Sequence, residues 1–431
     1  MAIILTEDEA VRIGLRNFPN LIADSLEILA SHEQVQELGA SLWPKVELQL
    51  GYSYNSYAPT MVMASPVRWR FQETPPGSGQ GIAFPDSFVV DTLEFGRKHN
   101  FRVSLGVSRT LWSWGRLESG YFIQKRALEA KWIDYEAKRL RYEYDVRRVY
   151  TATLLQREAL KVAEESYGAA EENLKLVKEA YRNGRATRID YLRAQVSLEN
   201  ARYELMSARR GYESSLSTLR TFLGLPDTTE ILIGDSLTLP ETPPDTTVAW
   251  KDVEFLEIQA SVLRDVARQE AKAFLPVIFG SLTYNYQRPL GFEDRWGSNW
   301  VATLGMSWTL FDGLKPLHSY RRYLYQADAL ARRAAFLKRK AKTDVMNALR
   351  EYETALRKVE VARRTLDMAR ESFSLARQSY AHGRLPYTDL KEVEVSYTKA
   401  LFNYKRAVAD ARMLYWKVFY LSRTSLSNGS P

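Results

Sequence analysis

Tyr380-Ala-His-Gly-Arg-Leu-Pro-Tyr-Thr-Asp389-Leu390 joins two long segments whose apolar residues recur at helical spacing. The first segment ends at Gly383, and the second begins after Pro386. Glycine after the last periodic residue is a typical helix end, and proline at a first helical position is a typical helix start. The stretch therefore predicts the tip of a hairpin of two helices.

The same pattern occurs earlier, at Tyr181-Arg-Asn-Gly-Arg-Ala-Thr-Arg-Ile-Asp190-Tyr191. Its Tyr, Gly, Arg and Asp each lie 199 positions before their counterparts, since 380 − 181 = 199. On both sides of each tip, apolar residues alternate steps of four and three, which predicts heptad seams. The chain is thus predicted to contain an internal duplication with four long helical arms that pair as coiled coils.

Each half also contains two predicted strands, at about 45–56 and 100–111 and at about 277–287 and 300–311. Their apolar residues alternate with Gly, Ser, Thr and charged residues, a period of two that strands have and helices do not. The apolar faces carry six aromatic residues that suit a girdle at a membrane interface, Tyr52, Tyr54, Tyr284, Tyr286, Trp300 and Trp308.

The predicted domain organisation follows from these elements. The first structural repeat spans 1–225, with helices at about 6–43, 115–183 and 187–224, and the second spans 248–423, with helices at about 248–275, 314–382 and 386–423. Residues 226–247 are predicted to be a linker and residues 424–431 a tail. Residues 58–100 are rich in Pro and Gly and lack periodicity, which predicts a long loop.

Composition restricts the possible functions. The chain has no cysteine, so neither a disulfide frame nor a thiolate site is possible, and its four histidines are scattered. It contains no His-Glu-x-x-His, Gly-x-Ser-x-Gly or Walker sequence, so we expect no enzyme activity, no metal and no cofactor. The net charge of +8 is spread along helix faces, and we expect no nucleic-acid partner.

No apolar run approaches the roughly 18 residues of a membrane helix. The five residues before Thr6 are too short for a signal peptide, so an exported protein would carry its signal outside this numbering.

The strands have the length that spans the tilted wall of an outer-membrane barrel. Four strands do not close a barrel within one chain, and unpaired edges are not tolerated in lipid, whereas three chains of four strands give twelve. The predicted fold is an α+β membrane protein, a homotrimeric 12-stranded β-barrel continued by a long α-helical coiled-coil barrel. The strands alone would equally suit a soluble sandwich, in which they would be half-buried. The alternative for the whole chain is a soluble coiled-coil scaffold or interaction protein, which explains the heptads but gives no role to the four strands.

Several further features, in order along nearly the whole chain, resemble the TolC-type outer-membrane efflux family. They are the helix–Pro–strand passages at Pro44 and Pro276, the strand-to-helix passages Thr110-Leu-Trp-Ser-Trp-Gly115 and Thr309-Leu-Phe-Asp-Gly313, and the two tips. The resemblance implies a homotrimer in the outer membrane with a periplasmic extension, to whose equatorial girdle the 226–247 linker would contribute. It further implies a passive exit duct of a tripartite efflux or type I secretion system, coupled to an inner-membrane pump through a periplasmic adaptor.

The resemblance also implies roles for residues at the tips. Asp389 falls on an acidic ring of the pore gate and Glu392 near a second one, while Asp190 and Tyr380 match positions that help to hold the gate closed. Gly184, Arg185, Gly383 and Arg384 match the tips that meet the adaptor, although the two arginines replace residues that are commonly small in the family. From the residues alone, Asp389 is equally a first-turn anion of its helix, and Tyr380 the last position of an apolar seam.

Overall fold

A computed structural model of the chain describes residues 2–57, 60–73, 75–94, 97–244, 251–291 and 293–423. The predicted tail at 424–431 and the last residues of the predicted linker, 245–247, lie outside these ranges. Contacts divide the chain into two compact units, which are described separately. The first unit comprises Met1–Glu33, Lys125–Arg264 and Leu324–Pro431, and the second comprises Gln34–Gln124 and Asp265–Tyr323.

The described residues form long helices and short sheets. The helices are α1 (Glu7–Asn17), α2 (Pro19–Ala40), α3 (Arg116–Arg182), α4 (Arg188–Phe222), α5 (Lys251–Ala271), α6 (Lys315–Ala381) and α7 (Tyr387–Arg423), with a 3-10 turn at Lys272–Phe274. The strands are β1 (Ala2–Leu5), β2 (Lys45–Tyr54), β3 (Thr60–Glu73), β4 (Gly81–Glu94), β5 (His99–Trp112), β6 (Glu230–Ile233), β7 (Val277–Arg288) and β8 (Gly297–Ser307). No helix in the described ranges is long and apolar enough to cross a membrane.

The long helices α3 and α6 have 67 residues each, which at about 1.5 Å per residue makes each of them roughly 100 Å long. The segment predicted to be helical at about 6–43, with a break or restart at Pro19, is two helices that meet at that proline. Thr6 and Glu9 close a capping box at the start of α1, and α1 ends at Asn17 because Pro19 has no N–H to continue the ladder.

A four-stranded antiparallel sheet in the order β2-β5-β7-β8 forms in the second unit. One row of directly opposite residues runs across all four strands, from Leu48 to Leu105, Tyr284 and Trp300. Opposite residues share a face, so the register collects most apolar residues of the four strands on one face and most Gly, Ser, Thr, Asn and Gln residues on the other, where Phe279 and Val301 also lie.

The prediction of a loop over 58–100 is wrong. β3 and β4 in this segment pair over their whole length as an antiparallel hairpin. The alternation of apolar and polar residues in this hairpin is not visible in the sequence, because the register shifts between Pro66 and Arg68 and again between Arg68 and Trp69. Each shift is a β-bulge, and the residues that follow a bulge in its strand change faces.

Three smaller differences concern the strands. The strand expected at 300–311 is β8, which ends at Ser307 opposite Val277, since Pro276 has no N–H to extend the ladder. The predicted linker contains β6, which pairs in parallel with β1 at the start of the chain. Strands of four residues are too short to give a recognisable period.

The core of the first unit lies where α1, α3, α4 and α7 meet. Tyr150, Leu154, Leu219 and Leu223 are fully buried there. The hydroxyl of Tyr150 donates to the carbonyl of Leu5 at 2.8 Å, which attaches the short parallel sheet to α3.

A buried ionic cluster adjoins this core. The carboxylate of Glu7 accepts a hydrogen bond from Arg412 at 2.9 Å and lies 3.5 Å from Arg147. Arg412 also donates to the carbonyl of Thr238 at 3.1 Å, and the guanidinium of Arg147 lies 3.9 Å from the ring centroid of Trp416. All three charged side chains are buried. The cluster therefore ties α1, α3 and α7 together, and each of its charges depends on the others.

Arg412→Met is expected to lower the free energy of unfolding by about 3 kcal/mol, because Glu7 is left as a buried charge with one partner fewer. The matched control is Arg364→Met, which breaks an exposed pair with Glu360 (3.0 Å) and should lower the free energy of unfolding by less than about 1 kcal/mol. Urea unfolding in detergent, followed by circular dichroism, measures both. Equal effects would show that the buried cluster does not stabilise the fold.

Candidate functional site

Both predicted helix tips are tight turns with the same backbone geometry. Gly184 and Gly383 lie in the left-handed region, with φ of 73° and 71°. The N–H groups of each glycine and of the arginine after it donate to carbonyls of the last helical turn at 2.8–3.1 Å. This pair of hydrogen bonds is a Schellman motif, which requires a residue that tolerates positive φ. The turn leaves Arg185 and Arg384 exposed, where the sequence placed the adaptor-docking tips.

Asp190 closes a capping box at the start of α4. Its carboxylate accepts hydrogen bonds from the Thr187 hydroxyl at 2.7 Å and the Thr187 N–H at 3.0 Å, while its own N–H donates to the Thr187 hydroxyl oxygen at 3.2 Å. The two bonds from Thr187 lower the pKa of Asp190 below its ordinary value. In this structure the carboxylate of Asp190 thus helps to cap the N-terminus of α4.

Asp389 occupies the equivalent position in α7, but its surroundings differ. Pro386 stands where the first repeat has Thr187, since 386 − 187 = 199. Proline has neither a hydroxyl nor an N–H, so a capping box does not form at the second tip. Asp389 is exposed in the first turn and accepts a hydrogen bond from the Thr388 hydroxyl at 3.0 Å. The second tip therefore leaves its aspartate available for another role.

Tyr380 belongs to an apolar cluster between the tips. Val177, Ala194 and Tyr387 are buried there, and Tyr380 packs against them with its ring centroid 6.1 Å from that of Tyr387. Burial raises the pKa of Tyr380, and the nearby charge of Asp190 raises it further. The structure thus brings Tyr380 and Asp190 into one neighbourhood, with Tyr380 at the end of an apolar seam.

Glu392 and Glu394 face different surroundings. Glu392 is exposed and lines a shallow groove together with Arg193, Lys391 and Lys399. Glu394 is buried, and its carboxylate accepts hydrogen bonds from Asn173 of α3 at 3.1 Å and from Lys391 at 3.0 Å.

The sequence analysis missed Glu394, although its signal is present. Asn173 lies between the buried Ala170 and Val177 at steps of three and four, which is a seam position. Glu394 lies four residues after the buried Leu390. Polar residues at seam positions of two helices predict a buried polar contact between them.

A second polar contact joins α3 to α7 farther from the tips. The buried carboxylate of Glu158 lies 2.8 Å from the ammonium group of Lys405 and 3.0 Å from that of Lys161. Burial favours a higher pKa for Glu158, but the hydrogen bonds and charges of the two lysines outweigh it and lower the pKa. Together with Asn173–Glu394, this contact fixes the register in which α7 packs on α3.

Five of the six predicted girdle aromatics lie at the end of the sheet where the hairpins turn. Tyr284 and Trp300 are directly opposite each other with ring centroids 4.8 Å apart, and the Tyr52 hydroxyl lies 2.9 Å from Nδ1 of His99. Tyr54 packs against the same histidine, and Tyr286 stacks on Trp296. Trp300 is 68% exposed, so the apolar face is open to its surroundings.

Trp308 does not lie with the other five. It follows the end of β8, and its indole N–H donates to the carbonyl of Phe274 at 2.9 Å. Trp114 makes the matching bond to the carbonyl of Pro276, also at 2.9 Å, and packs edge-on against Trp112. The sheet thus has aromatic groups at both ends. Trp112 and Trp114 were not among the predicted aromatic residues, although the Trp-Ser-Trp sequence contains them.

Comparison with known proteins identifies the relatives of this chain. The sequence model of a family described as outer membrane efflux protein matches residues 13–225 and 251–412. Comparison with curated proteins finds no match.

Several solved structures share the fold. The CmeC outer membrane channel of Campylobacter jejuni is 16% identical with a TM-score of 0.78, and the match covers 99% of this chain and 87% of that chain. The MtrE outer membrane channel of Neisseria gonorrhoeae, in its open state, is 18% identical with a TM-score of 0.74, and the match covers 97% of this chain and 89% of that chain. The outer membrane protein VceC of Vibrio cholerae is 14% identical with a TM-score of 0.70, covering 96% of each chain.

Thr187→Ala is expected to destabilise the first turn of α4 by about 1 kcal/mol, because it removes the hydroxyl that caps the helix. Hydrogen–deuterium exchange at residues 188–191 should become faster. The lowered pKa of Asp190 means that the cap stabilises the helix above the ordinary aspartate pKa and is lost as the pH falls through the lowered value. The difference between wild type and variant should therefore shrink in acid.

The matched control is Thr388→Ala at the second tip, where Thr388 lies inside α7 and does not cap it. Exchange at 387–391 should stay unchanged. Equal acceleration at both tips would contradict the difference between them.

Proposed function

This chain belongs to the outer membrane efflux protein family, and we propose that it is the exit duct of a tripartite efflux or type I secretion system. Proteins of this family are channels and not enzymes, and this chain is an efflux channel of the outer membrane with a periplasmic extension. In the proposed system it is a passive conduit, a homotrimer that receives its cargo from an inner-membrane pump through a periplasmic adaptor.

The observation that carries the proposal is the four-stranded sheet with an exposed apolar face and two unpaired edges. Among the residues that the structure describes, β2 pairs only with β5, and β8 only with β7. The apolar face exposes large side chains on both outer strands, among them Leu50 (74%) and Leu304 (76%). A soluble scaffold, the alternative, would leave this face in water, where contiguous apolar patches of such extent are rare.

In lipid the two free edges require partners, because unpaired backbone N–H and C=O groups are not tolerated there. Joining β8 of one copy to β2 of the next satisfies both edges, and three copies of four strands then close a barrel of twelve. β7 has 12 residues, about 40 Å at 3.4 Å per residue, so at a tilt near 45° it spans the apolar band of about 25 Å.

The second face of the sheet suits the lumen of such a barrel. The Ser104 hydroxyl hydrogen-bonds to the amide oxygen of Asn285 at 2.7 Å, and Arg102 donates to Gln287 at 3.2 Å. These side chains belong to the polar face defined by the register. A water-filled barrel with an apolar exterior is the arrangement that this pair of faces satisfies.

Unpartnered heptad seams on α4 and α6 support assembly of the helices as well. Exposed apolar residues follow heptad spacing on both helices, Ile189, Leu192, Val196, Tyr203 and Met206 on α4 and Val361, Met368 and Leu375 on α6. The other long helices, α3 and α7, pack on each other within the chain through the polar contacts of Glu158 and Glu394. We infer that α4 of one copy packs on α6 of the next.

The tips complete the proposed duct. Three copies bring three Asp389 and three Glu392 carboxylates to the periplasmic mouth, where acidic rings favour cations. Asp190 and Tyr380 lie beside this mouth, and Gly184, Arg185, Gly383 and Arg384 present the turns to the adaptor. The proline at 386, which frees Asp389 from capping, supports its assignment to the pore.

The double variant Val361→Glu, Met368→Glu is expected to convert the trimer to monomers in detergent, because charges enter the proposed seam between copies. The control is Arg363→Glu, Arg370→Glu, which adds glutamates to the same helix about 200° away from the seam. Size-exclusion chromatography with light scattering reports the mass. A trimeric seam variant would contradict the proposed packing of α4 on α6.

Asp389→Asn with Glu392→Gln is expected to weaken block of the open channel by a trivalent cation about tenfold or more, since six carboxylates leave the mouth. Single-channel recording in a planar bilayer, with the cation added to each side in turn, measures it. The control, Asp344→Asn with Glu353→Gln, removes the same charge from α6 more than about 40 Å along the helix from the tip. Unchanged block in the tip variant would exclude these residues from the pore.

A further inference from the structure

The hairpin of β3 and β4 is a separate two-stranded sheet, inserted in the chain between β2 and β5. The last β2–β5 pair is Tyr54 with His99, and the first β3–β4 pair is Thr60 with Glu94. β7 pairs with β5 only as far as Arg288, after which its chain turns back into β8. Within the described residues, β3 and β4, here called the arm, therefore form a ribbon of two strands that pair with each other alone. At 14 residues per strand the arm is about 48 Å long.

The arm exposes apolar side chains on both of its faces. Eleven large apolar residues are each between 43% and 63% exposed. Before the two register shifts, Met61, Met63 and Val89 share one face and Val62, Phe88 and Val90 share the other. Beyond the shifts, Trp69 and Phe71 share one face, and Ile82 and Phe84 share the other. An isolated two-stranded hairpin is at best marginally stable in water. The arm therefore has two apolar surfaces that need a partner.

The edges of the arm are poorly suited to adding a further strand. Pro66 and Pro85 interrupt the middle of β3 and β4, and neither has an N–H to donate to a neighbouring strand. The two register shifts beside Pro66 twist the edge further. The docking surfaces are thus the faces of the arm, through side-chain packing.

Lipid is excluded as the partner by the same features. Both edges leave backbone groups unpaired, which the hydrocarbon core does not tolerate. The arm also carries an ion pair, Arg70 with Asp86 at 3.1 Å. Both signs of charge stand beside the apolar residues of one face, which is the mixture expected of a surface that binds protein.

We propose that in the assembled trimer each arm packs one apolar face on the arm of one neighbouring copy and its second face on the arm of the other. This inference rests on the proposed trimer. In a three-fold ring every interface joins two different surfaces of the same chain, and an arm with two different apolar faces supplies both. The three arms leave the same rim of one barrel, so each is held near the others at an effective concentration in the millimolar range. The three arms then form a collar beyond the barrel.

Cysteine cross-linking tests this packing, because the chain has no cysteine of its own. Met63→Cys and Val90→Cys are combined in one chain, one on each face at nearly the same height of the arm. Within an arm their Cβ atoms point to opposite faces, so they do not form a disulfide with each other. Oxidation in detergent is expected to link most of the protein into covalent trimers that reductant converts back to monomers on a denaturing gel.

The single variants Met63→Cys and Val90→Cys are the matched controls, and each should stay monomeric on the same gel. Covalent dimers from a single variant would instead mean that like faces meet, which contradicts the ring. Light scattering on each sample separates the outcomes. A trimer whose double variant forms no disulfide overturns the arm packing and leaves the duct intact, whereas a monomer overturns both.

A second measurement uses Trp69, which is 61% exposed in the single chain. Packing of the arms should shield it from acrylamide. The emission of Trp69 is the difference in fluorescence between the protein with Trp69 and the same protein with Trp69→Phe. Acrylamide should quench this emission several-fold less in the trimer than in monomers of the Val361→Glu, Met368→Glu variant. Equal quenching in the two states would contradict packing between arms.

Discussion

The free backbone groups along β2 and β8 are the constraint on which the rest of the molecule depends. A sheet of four strands with one apolar face is stable in a membrane only when both edges are paired. The chain contains no further long strand beside that sheet, within the described residues, other than β3 and β4, and these pair with each other. In the proposed duct, assembly with other copies is thus a condition of the membrane fold, and the exposed seams of α4 and α6 extend the same requirement to the helices.

The two helical tips are built alike and differ in one side chain that changes their chemistry. Both use a glycine at positive φ, an arginine after it and an aspartate in the next first turn. Thr187 engages the first aspartate in a capping box, and Pro386 prevents the same bond at the second. The two repeats thus share the backbone geometry of the tip. The exchange of Thr187 for Pro386 leaves Asp190 engaged in a helix cap and Asp389 outside one.

Much of this architecture is readable in the sequence, because long helices and a two-faced sheet are periodic over many residues. The positions of the glycines, of Pro44 and of Pro276 set most element ends to within a few residues. The arm was missed because its bulges and prolines disrupt the period of two. Among the site residues, the capping of Asp190 was not anticipated, since the Thr-x-x-Asp pattern was not read at the tip. Glu394 was overlooked although it and Asn173 both stand at seam positions, because the two residues are distant in sequence and their seams were not compared for polar residues.

Electron cryomicroscopy of the detergent-purified protein, at a resolution that separates strands, would show directly how the two edges of the sheet are paired. We predict three copies around a single barrel of twelve strands, with β8 of each copy hydrogen-bonded to β2 of the next. A particle in which β2 or β8 keeps a free edge within the micelle, or in which one chain pairs its own β2 with its own β8, would contradict it.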